Sequence, residues 1–295
     1  MRICHAFIFF SIRFAGGTSD LMYKICKAQV KQGHKPVVYS GHYRFDQDLA
    51  NSLRGVEFRV VRSWFDKLGF SIMPKLAKLF RIDVKELDVV HMHLFRSYQN
   101  LILHRFCRKY NVPYVLDAHG AVPYYTRKKL IKKLFDRIWG KRILNDAAYL
   151  IAETKIGVKE YLDVDPELER DRITIISPPF DTDEFETLPE NGLFRRRLGI
   201  GSDKKIIMFL GRVHQIKGND FLIKGFADLC RHRDDCLLLI LGGDDGHMDD
   251  CKALSNELGV ADKVTFTGFI GGDQKNSALV DADIVAQMSR QEQGA

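Results

Sequence analysis

Short hydrophobic runs recur along the chain, and each is followed by a turn and then by apolar residues at helical spacing. The first run extends from Met1 to Phe10, leads into a glycine-rich loop at Gly16 to Ser19, and precedes a helix that ends at Gly33. Further strands are predicted at residues 34–40, 56–61, 88–93, 112–116, 173–176, 206–210, 237–241, 264–267 and 284–286. This alternation predicts an α/β fold with parallel sheets, helices on both faces and ligands at the carboxyl ends of the strands.

The pattern is interrupted between about residues 177 and 200. Pro178 and Pro179 stop regular structure at the start of this stretch. We therefore predict two domains joined by a linker, residues 1–180 and residues 181–295.

A basic loop joins the strand at residues 206–210 to the helix that follows it. Gly211 and Arg212 open this loop, and Lys217 and Gly218 end it. Two cations and the free N–H groups of a helix start converge beyond the end of a strand, which is typical of a phosphate site. Ordinary solvated loop charges are the alternative on spacing alone. The phosphate-loop and dinucleotide fingerprints GxxxxGK[ST] and GxGxxG are absent from the sequence.

Two histidines are predicted to lie at one sheet edge. His93 ends the strand at residues 88–93 and His119 follows the next strand, so both fall where this architecture binds ligands. A hydrogen-bonded structural imidazole is the alternative for each. Gly16 and Gly17 either allow the backbone to approach a ligand closely or simply form a tight turn between strand and helix.

A basic amphipathic helix is predicted from Arg127 to Arg142. Its apolar positions include Phe135 and Trp139, which suit a membrane interface. Its cations include Lys128, Lys129, Lys132 and Lys133. Two interpretations stay open: a helix docked on the domain core with a solvated basic face, or a helix on an anionic membrane surface.

The net charge of +7 and the pI near 9.0 indicate an anionic partner: a nucleotide, an acidic membrane or nucleic acid. Nucleic acid is disfavoured because the cations concentrate on one apolar-faced helix and no nucleic-acid module is recognised. The six cysteines include no CxxC pair, and no apolar run approaches the roughly 20 residues of a membrane span. We therefore expect a cytoplasmic protein, or one peripheral on the inner face of the cell membrane. No metal is assigned to the scattered DxD pairs.

The second half resembles the donor-binding domain of GT-B glycosyltransferases, in particular the retaining enzymes of family 4. Three segments carry this resemblance: Gly211-Arg212 followed by Lys217-Gly218, the strand from Val264 to Gly268, and the stretch from Ala282 to Glu292. The first half is similar to the acceptor domain of that family through Gly16-Gly17, the DVVHxH run, His119-Gly120 and the segment containing Pro178, Asp181 and Phe185.

The resemblance implies two Rossmann-like, doubly wound parallel-sheet domains facing a cleft, the second of them incomplete. In this family pattern Arg212 and Lys217 hold the diphosphate of the donor, beside Gly211, and Glu292 contacts the hydroxyls of the donor sugar. Gly17 lies near the β-phosphate and His119 near the reacting sugar. Gly16, Gly17 and His93 lie on the acceptor side. The catalytic set is then His119, Arg212, Lys217 and Glu292, with neither a metal nor another cofactor.

The implied function is transfer of a hexose, with retention, from a nucleotide-diphosphate sugar to an acceptor hydroxyl of a polysaccharide or lipid-linked glycan. A sugar-nucleotide epimerase of the same architecture is one alternative, and a non-catalytic subunit that binds nucleotide sugar or membrane is another. The sequence departs from the family pattern at Pro179-Phe180 and at Met288, where proline is common. It also stops at Ala295, before the second glutamate of the family's ExxxxxxxE pair, so we expect a fragment of a longer enzyme.

Overall fold

The computed structural model describes residues 1–15, 17–67, 70–124 and 129–290, which form two compact units. The first unit comprises Met1–Phe180, and the second begins at Asp181. Each unit is built on its own parallel sheet with helices packed against it, so the predicted α/β architecture is confirmed.

The first unit contains a seven-stranded parallel sheet in the order β3-β2-β1-β6-β7-β8-β9. Its strands are β1 (Arg2–Phe9), β2 (Lys35–Gly41), β3 (Glu57–Val61), β6 (Val89–His93), β7 (Tyr114–Asp117), β8 (Tyr149–Ala152) and β9 (Ile173–Ile175). A separate antiparallel hairpin pairs β4 (Phe65–Lys67) with β5 (Phe70–Ile72). The central strands carry continuous apolar runs because helices cover both faces of the sheet.

Several helices of the first unit begin at residues whose side chains cap them. The helices of this unit are α1 (Ile12–Ala15), α2 (Gly17–Lys31), α3 (Gln47–Ser52), α4 (Leu76–Asp83), α5 (Tyr98–Tyr110), α6 (Lys129–Phe135), α7 (Lys141–Asp146) and α8 (Lys155–Val164). Ser97 caps α5 through its hydroxyl, which accepts the N–H of Asn100 at 3.2 Å. The predicted loop from Gly16 to Ser19 is wrong in part, because α2 already begins at Gly17. The hydroxyl of Ser19 accepts the N–H of Ser11 at 3.2 Å and fixes this early helix start.

The second unit contains a four-stranded parallel sheet in the order β12-β11-β10-β13. Its strands are β10 (Lys205–Leu210), β11 (Cys236–Leu241), β12 (Val264–Gly268) and β13 (Ile284–Val285), and its helices are α9 (Leu193–Leu198), α10 (Asn219–Cys230), α11 (Met248–Glu257) and α12 (Gly272–Asp281). Helix α9 lies within the predicted linker, yet its Phe194 is buried in the core of the second unit. The Asp281 carboxylate accepts the backbone N–H of Arg195 at 2.8 Å, which holds α9 in place.

The predicted helix from Arg127 to Arg142 is confirmed in its described part, where helical residues continue without interruption from Lys129 to Asp146. A π-helical turn (Asp136–Gly140) lies within it, between α6 and α7. Arg96 donates two hydrogen bonds to the buried Asp136 carboxylate, at 2.8 and 2.6 Å, and Tyr124 donates a third at 2.5 Å. The wide turn therefore places a buried carboxylate against a buried guanidinium. No helix within the described ranges is long and apolar enough to cross a membrane.

Candidate functional site

The basic loop of the second unit begins with a close approach between two strand ends. Gly211 follows β10, and Gly242 follows β11. A Cβ atom on Gly242 would lie 1.8 Å from the carbonyl oxygen of Gly211, so only glycine fits at that position. Hydrogen bonds from Gly211 N to Leu241 O and from Val213 N to Gly243 O, both 2.9 Å, tie the two loops together. The backbone beside Arg212 is therefore fixed by the neighbouring strand end.

The other end of the loop makes a second close approach. Gly218 adopts a φ of 67° and immediately precedes α10, and a Cβ atom there would lie 2.0 Å from the carbonyl oxygen of Met288. The family landmark Gly218 thus marks a position at which a side chain is sterically impossible, and the landmark Gly211 lies against a second such position, Gly242. Lys217 lies between the two landmarks, in a 3-10 turn (Gln215–Lys217) directly before the N-terminus of α10.

Asp245 forms an ion pair with Arg212. The Arg212 Nη1 atom lies 2.5 Å from Asp245 Oδ2, and the two side chains are 54% and 42% exposed. Exposed pairs of this kind contribute little to stability, on the order of 0–1 kcal/mol. The guanidinium can therefore exchange this carboxylate for another anion at low cost.

Arg290 connects the segment after β13 to the same loop. Its backbone N–H donates to Ile216 O at 2.7 Å, and its guanidinium donates to both carboxylate oxygens of Asp220, at 2.8 and 2.5 Å. The guanidinium also lies 4.0 Å from the ring centroid of Phe221. These bonds from Arg290 lower the pKa of Asp220 to about 2. The contacts fix the backbone two residues before Glu292, which itself lies outside the described residues.

Asn219 lies at the first position of α10 with its side chain fully buried, and neither polar atom of its amide has a hydrogen-bond partner among the described residues. Arg212 follows the carboxyl end of β10, and Lys217 precedes the N-terminus of α10. The arrangement suits a phosphate or diphosphate.

A row of histidines crosses the sheet of the first unit. His5 on β1 pairs in register with His91 on β6, and His93 ends β6. The Nδ1 atom of His5 lies 2.9 Å from Nε2 of His93, and Nδ1 of His93 lies 2.8 Å from Nε2 of His119. At the inner end, Nε2 of His5 lies 2.9 Å from Oε1 of Gln29 on α2. Three imidazoles and an amide therefore form one continuous chain.

This chain ends at two carboxylates. The Nδ1 atom of His119 lies 3.1 Å from Glu153 Oε1 and 3.2 Å from Asp117 Oδ1. His119 itself has a φ of 45°, in the left-handed region that residues other than glycine seldom adopt. Burial raises the pKa of Asp117 to about 6. His93 and His119 thus lie side by side at the carboxyl edge, and their ring nitrogens bond to each other and to neighbouring side chains.

Burial also sets the charge of the inner histidines. It lowers the pKa of His5 to about 4, and it lowers the pKa values of His91 and His93 well below the ordinary value. Two side-chain groups have the composition of a metal site: the trio of inner histidines, and Asp117 with His119 and Glu153. Hydrogen bonds within the row already engage the ring nitrogens of His5, His93 and His119, whereas Nε2 of His91 has no hydrogen-bond partner among the described residues. We assign no metal to either group.

Of the remaining predicted site residues, some lie within the described part of the chain and some lie outside it. Gly17 is the first residue of α2, and a Cβ atom there would meet no other atom within 4 Å. Gly16, Lys128 and Glu292 lie outside the described residues. Lys129 and Lys133 lie exposed on α6, whereas Lys132 donates to Pro123 O at 2.8 Å.

Both halves of the chain match sequence families. Residues 15–184 match the family described as "Glycosyltransferase Family 4", and residues 191–295 match "Glycosyl transferases group 1". The chain belongs to Glycosyltransferase Family 4. The two families divide the chain near the same place as the two compact units.

This family 4 chain is similar to a D-inositol 3-phosphate glycosyltransferase of Mycolicibacterium smegmatis, with 29% identity over 213 residues, 70% of this chain and 47% of the relative. It therefore spans about half the length of that curated relative. Its fold is similar to that of Anabaena Alr3699/HepE in complex with UDP and glucose, with a TM-score of 0.78, 16% identity and coverage of 98% and 74% of the two chains. The complex of the same protein with UDP-glucose gives a TM-score of 0.77 at 18% identity, with coverage of 98% and 74%. The fold is GT-B.

Several residues that contact the predicted site residues were missed by the sequence patterns. Arg290 stands inside the stretch that carries the family resemblance, so its position was a usable signal. His5 is a polar residue inside an otherwise apolar strand, which is a second signal. Gln29, Asp245 and Glu153 carry no comparable signal, because only the fold brings them to their partners.

Proposed function

We propose that this family 4 chain transfers a hexose from a nucleotide-diphosphate sugar to an acceptor hydroxyl with retention of the anomeric centre. The observation that carries the proposal is the fixed loop of the second unit, in which Arg212 and Lys217 precede the N-terminus of α10. The UDP-glucose complex named for Anabaena HepE, a protein of similar fold, supports a nucleotide sugar as donor.

The geometry suits the chemistry of such a transfer. Breaking the bond between the sugar and the diphosphate leaves negative charge on the phosphate oxygens. Cations and N–H groups that already point to that position stabilise the charge as it develops, without reorganisation. Arg212 and Lys217 fulfil this role in our proposal, with Gly211 and Gly218 holding their backbone. Arg290 positions the loop and does not itself need to contact the donor.

The first unit provides the acceptor side in this proposal. Gly17 and His93 lie at or beside the carboxyl edge of its sheet, where a hydroxyl acceptor can be bound. The resemblance to family 4 assigns His119, at the same edge, to the reacting sugar and Glu292 to the sugar hydroxyls. Retention, the hexose and a glycan or lipid-linked acceptor rest on the resemblance to family 4 and on no geometric observation.

Thermal unfolding with a panel of UDP- and GDP-sugars tests the donor. A ligand that binds only the folded chain raises the melting temperature. We expect one nucleotide class to stabilise the chain, and Arg212→Ala or Lys217→Ala to weaken its binding about 10- to 150-fold through loss of a charge-assisted contact of roughly 1.5–3 kcal/mol. Arg231→Ala removes an exposed arginine from the far end of α10 and serves as the control. Equal binding by the Arg212/Lys217 double variant and the control would refute the donor site.

A second property, binding to an anionic membrane surface, is favoured by the exposure of α6 and the π-turn. Leu130, Ile131 and Leu134 are 82%, 66% and 58% exposed. Docking on the core accounts for Phe135 and for the buried Asp136 and Gly140, but it leaves these three side chains exposed to solvent. Among the described apolar residues of α6 and the π-turn, Phe135 packs against the core, and the tilted ring of Trp139 lies beside it with the ring centroids 5.5 Å apart. Exposed leucine and isoleucine beside lysines match the chemistry of an acidic bilayer.

Sedimentation with liposomes tests this surface. Each cation near an anionic bilayer contributes about 1 kcal/mol, so binding should need acidic lipid and weaken with salt. Lys129→Glu with Lys133→Glu should abolish binding, whereas the same charge change at Lys31 and Lys155, exposed residues on other helices, should preserve it. Loss of binding in both double variants alike would mean that net charge alone, and not this helix, attracts the membrane.

A further inference from the structure

The histidine row of the first unit has a direction that follows from counting donors and acceptors. The amide oxygen of Gln29 faces Nε2 of His5, so this nitrogen carries a proton and donates. Because burial keeps His5 neutral, its Nδ1 is then an acceptor, and the proton in the next bond belongs to Nε2 of His93. By the same argument Nδ1 of His93 accepts from Nε2 of His119.

This assignment of donors and acceptors requires one more proton at the outer end of the row. With Nε2 of His119 donating to His93, a neutral His119 would present a bare Nδ1 to the oxygens of Asp117 and Glu153. Two acceptors cannot bond without a proton between them. The group formed by His119, Asp117 and Glu153 therefore holds one additional shared proton when the chain runs in this direction.

Reversing the direction of the hydrogen-bond chain removes the need for that additional proton. If the Gln29 side chain turned its amide nitrogen towards His5, each histidine would donate through Nδ1 and accept on Nε2. His119 would then be neutral and would donate its single N–H to the carboxylates. The two directions differ by a single proton at His119 and its carboxylates.

The groups that face the row come from every neighbouring element. His91 stacks on His93 with ring centroids 4.2 Å apart, and it too is held neutral by burial. The Tyr161 hydroxyl accepts the N–H of Ala118 at 3.0 Å, beside Asp117. The inner histidines are therefore uncharged, and the additional proton can reside only at the outer end.

We infer that Gln29, His5 and His93 are positioning residues that set the protonation state of His119 through one directed hydrogen-bond chain. The role of this arrangement in catalysis rests on the transferase reaction proposed above. In that reaction the hydrogen-bond chain would supply a positive or proton-donating group at the carboxyl edge of the first unit. Gln29 lies at the opposite end of the row from that edge and acts only through the two inner rings.

Long-range ¹H–¹⁵N spectra of the histidine rings test the inference, because they report which nitrogen of each ring carries a proton. In the wild-type chain at neutral pH we expect Nε2–H at His5, His93 and His119. Gln29→Met preserves the length of the side chain but removes its hydrogen-bonding amide, so the chain should reverse to Nδ1–H at His5 and His93. Gln32→Met, an exposed position just beyond the same helix, should leave the wild-type pattern unchanged.

Nδ1–H at His5 and His93 in the wild-type chain would overturn the inferred direction, and this measurement does not depend on whether the variant folds. Identical tautomers in the wild-type and Gln29→Met chains would overturn the role of Gln29. Donor titration of the same samples separates this inference from the proposed function. Failure to bind any nucleotide sugar would reject that function while leaving the tautomer result intact.

Discussion

The two units place their functional polar groups in opposite settings. In the first unit His5 and His93 are 0% and 2% exposed, and their hydrogen bonds are internal. In the second unit the Arg212 side chain is 54% exposed and pairs with a half-exposed carboxylate. The interior of the first unit can therefore control proton positions, whereas the loop of the second unit can exchange its anionic partner. The first setting should respond to pH and the second to ligand and salt.

The largest effect is expected at the buried ion pair of the first unit. Arg96 and Asp136 are 9% and 4% exposed in their side chains. Arg96→Met would leave the Asp136 carboxylate buried, with the Tyr124 hydroxyl as its remaining side-chain hydrogen-bond donor among the described residues, and should lower the free energy of unfolding by about 3–5 kcal/mol. Urea unfolding measures this loss.

The matched change in the second unit is Arg290→Met. Arg290 and Asp220 are 31% and 20% exposed, so solvent can replace much of the lost contact, and we expect a loss on the order of 1 kcal/mol. Equal losses for the Arg96 and Arg290 variants would show that the contrast between buried and exposed pairs is mistaken.

The pH dependence of stability should also differ between the units. In the folded state the pKa values of His5, His91 and His93 lie below their unfolded value near 6.5, and the pKa of His5 falls to about 4. The unfolded chain therefore binds more protons, and the stability of the first unit should fall as pH drops from about 6.5 towards 4, by up to about 1.4 kcal/mol per pH unit for each histidine. Burial raises the pKa values of Asp117 and Glu160 to about 6 and about 7, which offsets part of this loss.

The second unit provides the internal comparison. The pKa of Asp220 is lowered to about 2, so its contribution is present above the unfolded value near 3.9 and is lost only as pH falls below it. Amide hydrogen exchange at pH 7 and pH 5 should show falling protection free energies in β6 and little change in β11. A parallel loss in both strands would contradict the assignment of acid sensitivity to the histidine row.

The smallest effect is expected from Asp245→Asn. Removing this carboxylate frees Arg212 from a competing anion, and because the pair is exposed the gain in donor affinity should be about two- to five-fold. Calorimetric titration in low and moderate salt measures the change. Weaker donor binding in the variant would mean that Asp245 holds Arg212 in its binding position rather than competing for it.

The sequence predicted the elements that depend on local pattern. The strand from Ile206 to Leu210, the basic loop and the placement of His93 and His119 follow from apolar periodicity and from the rule that parallel strands end at one edge. Tertiary contacts decided what the pattern could not. The helix predicted from Arg127 widens into a π turn at Asp136, and the carboxylate of Asp136 bonds to Arg96, which lies in the loop after β6.

The histidine row shows the same limit at the site. His93 and His119 could be placed at one edge, but their contact with each other and with Glu153 depends on the register of separate strands. His5 joins them from β1, and Gln29 from α2. Single-sequence patterns contain no information on such pairings unless a polar residue interrupts an apolar strand, as His5 does.

The most direct test of the central claim is a titration of the chain with UDP-glucose and with GDP-mannose, followed through backbone amide resonances. We expect one of them to shift the amides from Gly211 to Asn219, and the double variant Arg212→Ala/Lys217→Ala to need at least ten-fold more ligand for the same shifts. Binding of either ligand that leaves this loop unperturbed, or that is as tight in the double variant, would contradict the donor site.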